Sequence, residues 1–113
     1  MSDLLVRLAQ LGEPEIDGPA PEKIIHGAPE FRTWNLEERD GLYCGIWQAT
    51  KGKWQVHYDE WEYCLFLEGY SIITEADGTE HHLRAGDRFF MRPGLTGTWE
   101  VIETTTKDYV IRL

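Results

Sequence analysis

Gly52-Lys53-Trp54-Gln55-Val56-His57-Tyr58-Asp59-Glu60-Trp61-Glu62-Tyr63-Cys64-Leu65-Phe66-Leu67-Glu68-Gly69 carries the pattern that decides the fold. In its first part, polar and apolar residues alternate one by one, which is the period of a strand with one face in a core. Trp54, Val56 and Tyr58 share the apolar face, and Lys53, Gln55 and His57 share the other. A slip of one residue turns Trp54 and Val56 to water and forfeits roughly a few kcal/mol of burial. The inward set is therefore predicted to be Trp54, Val56 and Tyr58. Further along, Glu62, Cys64 and Phe66 stand two residues apart, so if the carboxylate faces inward the thiol and the ring follow it.

The same punctuation extends outward. From Phe31 onward, short runs rich in aromatic and β-branched residues are separated by turn residues: Arg39-Asp40-Gly41, Lys51-Gly52, Glu68-Gly69, Asp77-Gly78, Gly86-Asp87 and Pro93-Gly94. Asp77-Gly78 is the strongest hairpin signal, suited to a type I′ turn. Such a series of short strands predicts an all-β barrel or two-sheet jelly roll over 31–113. Residues 1–30 read as a separate arm. Leu4, Leu5, Leu8 and Leu11 recur at helical spacing behind Ser2-Asp3, which predicts one short helix ended by Gly12 and Pro14. Pro14, Pro19, Pro21 and Pro29 then predict an irregular, extended path, in which Ile24-Ile25 can add one edge strand.

Composition narrows the partners. A formal charge of −9 repels a phosphate backbone, so neither nucleic acid nor an anionic membrane surface is an expected partner. Five Trp, five Tyr and four Phe argue against a solvated, disordered chain. No run approaches the length of a spanning helix. The opening Met1–Arg7 lacks a basic flank followed by a long apolar stretch, the mark of a secretory signal. Cys44 and Cys64 are too few for a disulfide scaffold and read as reduced thiols, which gives a cytoplasmic expectation.

Two segments resemble the paired motifs of the cupin superfamily. The first ends on Glu62 and Gly69, and the second runs from Gly86-Asp87 to Pro93-Gly94. The order of Gly45-Ile46-Trp47, Gly52-Lys53-Trp54, Glu62-Tyr63-Cys64, Leu67-Glu68-Gly69, Ala85-Gly86-Asp87, Gly97-Thr98-Trp99-Glu100-Val101 and Lys107-x-Tyr109 is similar to the cupin-3 subgroup. That subgroup resembles the cupin domain of ureidoglycine aminohydrolase and the ethanolamine-utilisation cupin. The resemblance implies a small RmlC-like jelly-roll barrel with an N-terminal arm. It also implies a divalent metal, held by two His and a Glu of the first motif and a His of the second.

This chain departs from that ligand set. Its four histidines are His26, His57, His81 and His82, and the second-motif position falls at Gly97. The alternation above puts Val56 and Tyr58 in the other ligand positions and leaves Glu62 alone. Neither a metal nor another cofactor is therefore expected, and the metal-borne aminohydrolase chemistry does not carry over.

What remains for the interior is a small-molecule pocket with few polar groups and many rings. The candidate ligand-binding residues are Trp54, Tyr58, Cys64, Phe66, Trp99, Trp47 and Tyr109, and the candidate catalytic residue is Glu62. An isolated carboxylate in an apolar barrel is pushed toward its protonated form, which suits acid/base work. The competing reading makes Glu62 structural, bonded to Tyr58, Arg92 or Lys107. Three functions stay open: an enzyme using Glu62 on a small polar metabolite without metal, a non-catalytic ligand-binding or sensing module, and a metal-dependent enzyme with unusual ligands. Packing of the arm along a sheet predicts a homodimer with the arm at its interface.

Overall fold

Two long strands organise the chain. In the computed structural model, which describes residues 4–113, β1 (Glu15–Asp17) and β2 (Ile24–Gly27) belong to the arm. They are followed by β3 (Phe31–Arg39), β4 (Leu42–Ala49), β5 (Gly52–His57), β6 (Trp61–Glu75), β7 (Glu80–Arg84), β8 (Arg88–Met91) and β9 (Thr96–Arg112). All pairings are antiparallel. β6 and β9 run against each other over nearly their whole length, from Trp61↔Arg112 to Glu75↔Gly97. On its other side, β9 pairs with β5 through Thr96–Val101 and with β4 through Thr105–Arg112. β6 likewise pairs with β8 through its first half and β7 through its second. Each long strand thus passes from one layer to the other, and a single sheet curls into the two facing layers of a jelly roll.

The curl needs a corner. The sequence marks a turn at Glu68-Gly69, but β6 runs through it without interruption, and the turn is a bend within the strand. The β6–β9 register shifts three times between Phe66 and Ser71, as bulges do where a strand must bend. Gly69 sits at φ +98°, and a Cβ there would overlap the Thr104 carbonyl and the Thr105 backbone. Only glycine fits both the backbone angle and the close approach.

Hairpin chemistry also sorts itself. Asp40 and Gly41 are both left-handed, at φ 51° and 78°, so the type I′ pair lies between β3 and β4. At the Asp77-Gly78 hairpin only Gly78 has positive φ, and the Glu75 carbonyl accepts from Gly78 N at 2.8 Å. That turn is a three-residue loop ending in a left-handed glycine rather than the expected type I′.

The arm departs most from expectation. Among the described residues no α-helix forms, and the sole helical element is a 3-10 turn at Pro21–Lys23. Leu4, Leu5, Leu8 and Leu11 lie outside any regular element, 40% to 97% exposed. A leucine stripe without a surface beneath it cannot offset the entropy of helix nucleation, and so short a helix is unstable alone. The expected Ser2-Asp3 cap falls outside the described residues. Ile24-Ile25 does form an edge strand, β2, on β5, while β1 lies on β3. These are the two ends of the strand path β1-β3-β4-β9-β5-β2.

The core fills the space between the layers. Trp54, Val56, Cys64, Phe66, Ile73, Met91, Trp99, Val101 and Ala49 form one buried cluster. Trp54 and Trp99 lie opposite each other in register and stack, with centroids 6.1 Å apart and planes at 7°. Such a pair contributes about 0.5–1.5 kcal/mol beyond its burial.

Candidate functional site

The inward faces of β4, β5, β6 and β9 meet at a cavity of about 550 Å³. Alternation along β6 places Glu62, Cys64 and Phe66 on this face, at 4%, 0% and 1% exposure. Along β5, Trp54 and Val56 face in, while Gln55 and His57 are exposed, although both also border the cavity. His57 is bonded outside the core, to Thr96 Oγ1 at 2.8 Å and Asp59 Oδ1 at 2.8 Å. Trp47, Trp54, Tyr58, Glu62 and Tyr109 all line the cavity, whereas Cys64, Phe66 and Trp99 lie in the packing behind it.

Lys107 is the centre that sequence reasoning named only as a possible partner. Its ammonium, 4% exposed as a residue, donates to Glu62 Oε2 at 2.7 Å. It stands over Trp47 and Trp99, 4.5 and 4.7 Å from the ring centroids. Cys64 Sγ also donates to Glu62 Oε2, at 3.3 Å. Of the two sequence readings of Glu62, the isolated carboxylate in an apolar barrel is not what forms; the carboxylate is ion-paired with Lys107 at the cavity floor. Arg92, the other suggested partner, lies instead over the Phe90 ring.

The protonation states follow from burial and this pair. Burial works against the Lys107 ammonium, yet Cys64, Glu62 and Tyr58 beside it hold it above the ordinary lysine range. Burial pushes the Cys64 thiol up to about 12 and the Tyr58 phenol higher still. At neutral pH both are uncharged, and the carboxylate in contact with the ammonium is that of Glu62. Burial likewise raises Tyr109 to about 12; its hydroxyl donates to Asn35 Oδ1 at 2.6 Å. Cys64 is thus a small buried donor and not an activated nucleophile. Among the described residues, Trp99 Nε1 is buried without an acceptor, which costs stability.

Phe31 and Asn35 of β3 were not singled out from sequence, yet both line the cavity. Phe31 sits 5.0 Å from Trp47 and 5.0 Å from Trp54, completing an aromatic wall. Its position at a strand start after Pro29 was the available signal. Pro19, Ala20 and Lys23 also line the cavity, because the segment joining β1 to β2 crosses its mouth.

The donor set does not fit the divalent metal of the wider superfamily. Of the four matching positions, Val56 offers no donor and Tyr58 keeps its proton. Glu62 is already taken by an ammonium, and Gly97 has no side chain. None can be placed there, since a Cβ on Gly97 would overlap the Thr74 carbonyl. Among the described residues, no three His, Cys, Asp or Glu side chains converge as metal ligands do.

A curled jelly roll with a polar cluster beneath an aromatic-walled mouth is a cupin domain. The family model for EutQ-like cupin domains, Cupin_3, matches residues 36–109, and the chain belongs to that family. No curated protein matches the sequence. Among solved structures, the fold is similar to a protein of unknown function of the DUF861 family from Pseudomonas syringae pv. tomato. That match has a TM-score of 0.82 and 23% identity, covering 92% of this chain and 46% of that one. It is also similar to the Clostridium difficile EutQ protein, with a TM-score of 0.68, 18% identity, and 75% and 64% of the two chains covered. A DUF861 family protein from Thermotoga maritima aligns with a TM-score of 0.56 and 26% identity, over 86% of this chain and 97% of that one. This chain spans less than two thirds of the length of the first two.

Proposed function

We propose that this cupin binds a small polar metabolite in its barrel without a metal ion, anchored by the Glu62–Lys107 pair. The supporting observation is the placement of that pair: a buried ammonium and carboxylate 2.7 Å apart, at the floor of a cavity walled by Trp47, Trp54 and Phe31. A few polar groups converging in an aromatic hollow are the usual composition of a metabolite site. Thermal-shift screening of the purified chain against a metabolite panel, with and without EDTA, tests the reading. Hits that survive EDTA and vanish in the Glu62→Gln/Lys107→Met double variant support it. Hits that require added Mn or Zn would overturn it.

A second reading makes Glu62 a proton-transfer group. Both contacts of its carboxylate run to Oε2, and among the described residues Oε1 makes no hydrogen bond. If a ligand is turned over, Glu62→Gln abolishes turnover while binding persists. Unchanged turnover sinks the acid/base role.

The chain works as a cytoplasmic homodimer in this reading. Both thiols are free. The arm strands pair within their own chain, so support for a dimer comes from the outer face of one layer. Alternation and register put Trp34, Val110, Tyr63, Leu65 and Phe90 together there, with Phe90 48% exposed and stacked on Trp61, while Ile46 between them is already covered within the chain. Phe90→Glu should convert a dimer to a monomer in analytical ultracentrifugation.

A further inference from the structure

An ammonium carries three N–H donors, and in this structure Lys107 has one strong acceptor for them, Glu62 Oε2. Its other close neighbours are the Cys64 thiol and the faces of Trp47 and Trp99, none of which is a full acceptor. Lys107 also lines the cavity. A second donor waits beside it: Tyr58 lines the same cavity, and among the described residues its hydroxyl makes no hydrogen bond. Trp47 and Trp54, 6.4 Å apart, provide an apolar wall above these groups.

We propose that Lys107 is the ligand-binding cation of this cavity, and that the ligand is a small monocarboxylate whose oxygens accept from Lys107 and Tyr58. The assignment rests on the reading that the cavity holds a small metabolite, and it names the chemical class. It gives the ammonium the part that a metal ion plays in other barrels of this shape: a fixed positive charge facing the ligand oxygen. The difference is in magnitude. Glu62 already balances most of the ammonium's charge, so the floor attracts one negative charge weakly and a second not at all. The remaining charged groups of the lining reinforce this limit, because Glu15 and Glu60 outnumber Lys23, and His57, which also borders the cavity, is bonded to Asp59. The predicted ligand is accordingly a monoanion with an apolar or planar body that lies against Trp47 and Trp54. Phosphates and dicarboxylates are excluded by charge.

Four aromatic probes test this: benzoate, its neutral isostere benzamide, the cation benzylamine and the larger dianion phthalate. Each is titrated into the full chain, followed by tryptophan fluorescence and by the indole N–H signals in NMR. Benzoate is expected to bind at least tenfold more tightly than the other three and to shift the Trp47 and Trp54 signals. Tyr58→Phe should weaken benzoate severalfold. Removing Lys107 alone endangers the fold, so the Glu62→Gln/Lys107→Met double variant, which removes both charges, is the decisive one. It should lose benzoate binding while keeping the wild-type amide spectrum elsewhere. Equal binding of benzamide or benzylamine, or benzoate affinity retained in the double variant, would overturn the carboxylate assignment yet leave a metabolite cavity standing. Silence from all four probes overturns the assignment too, and metabolite-panel hits then decide whether the broader reading survives.

Discussion

Along β5 the side chains alternate without interruption, with Trp54 and Val56 buried and Gln55 and His57 exposed. At the corner of β9 three consecutive residues, Thr105, Thr106 and Lys107, are all buried. In a flat strand one of every two neighbours must face away. Here three in a row are buried where the register shifts and the strand turns from one layer into the other. Each polar group so enclosed has a local partner. Thr105 Oγ1 bonds Ser71 Oγ at 2.7 Å, Thr106 Oγ1 donates to Glu68 Oε1 at 2.9 Å, and Lys107 meets Glu62. Straight strand builds the wall of the cavity, and the bend delivers its charge.

Experiments at the bend should give large effects and those on β5's outer face small ones. The largest is expected from Lys107→Met, which strands the Glu62 carboxylate in the core. Breaking one half of a buried pair costs about 3–5 kcal/mol, measured by urea unfolding, and adding Glu62→Gln should recover most of it. If the single and double variants are equally unstable, packing around the lysine stem and not its charge holds the corner. Gly69→Ala comes next, at about 3 kcal/mol, because it combines backbone strain at φ +98° with overlap on Thr104 and Thr105. A smaller loss would mean that the bend relaxes more freely than its register shifts imply.

Alkaline pH probes the same corner without mutation. The Cys64 thiol keeps its proton in the fold to about 12, against 9.0 for the free group, and Lys107 keeps its own above the ordinary lysine range. In both cases the folded state binds more protons than the unfolded chain. Stability is therefore full below about pH 9 and falls progressively above it. Thermal unfolding from pH 7 to 10.5 should show this decline, and Cys64→Ala should shallow it. The smallest effect belongs to Gln55→Ala on β5's exposed face, within about 0.5 kcal/mol. A larger loss there would contradict the assignment of faces.

The same contrast explains what could be read in advance. Strict alternation made the parity of Trp54 and Val56 legible, and closely spaced turn residues made the all-β fold legible. The family motifs added the cupin assignment. Lys107 could be suspected as a partner of Glu62 but not placed, because a bend breaks the two-residue period on which placement depends. Phe31 and Asn35 enter the cavity through strand pairing far apart in sequence, which no local pattern records. The leucine spacing of the arm misled in the opposite direction. It has helical period, but the surface needed to make that period stable is not there.

The arm has a further consequence. An unpaired strand edge offers its backbone groups to any extended chain, including another copy of itself. β3 and β5 would be such edges, and β1 and β2 cover part of each. The crossing segment between them joins the two covers, so lifting one pulls on the other across the cavity mouth. Removing the arm should uncover both edges at once, and with them a route to fibrous self-association. The proline-rich stretch that contributes little to the core thereby acts as the guard of two of the sheet's flanks, those of β3 and β5.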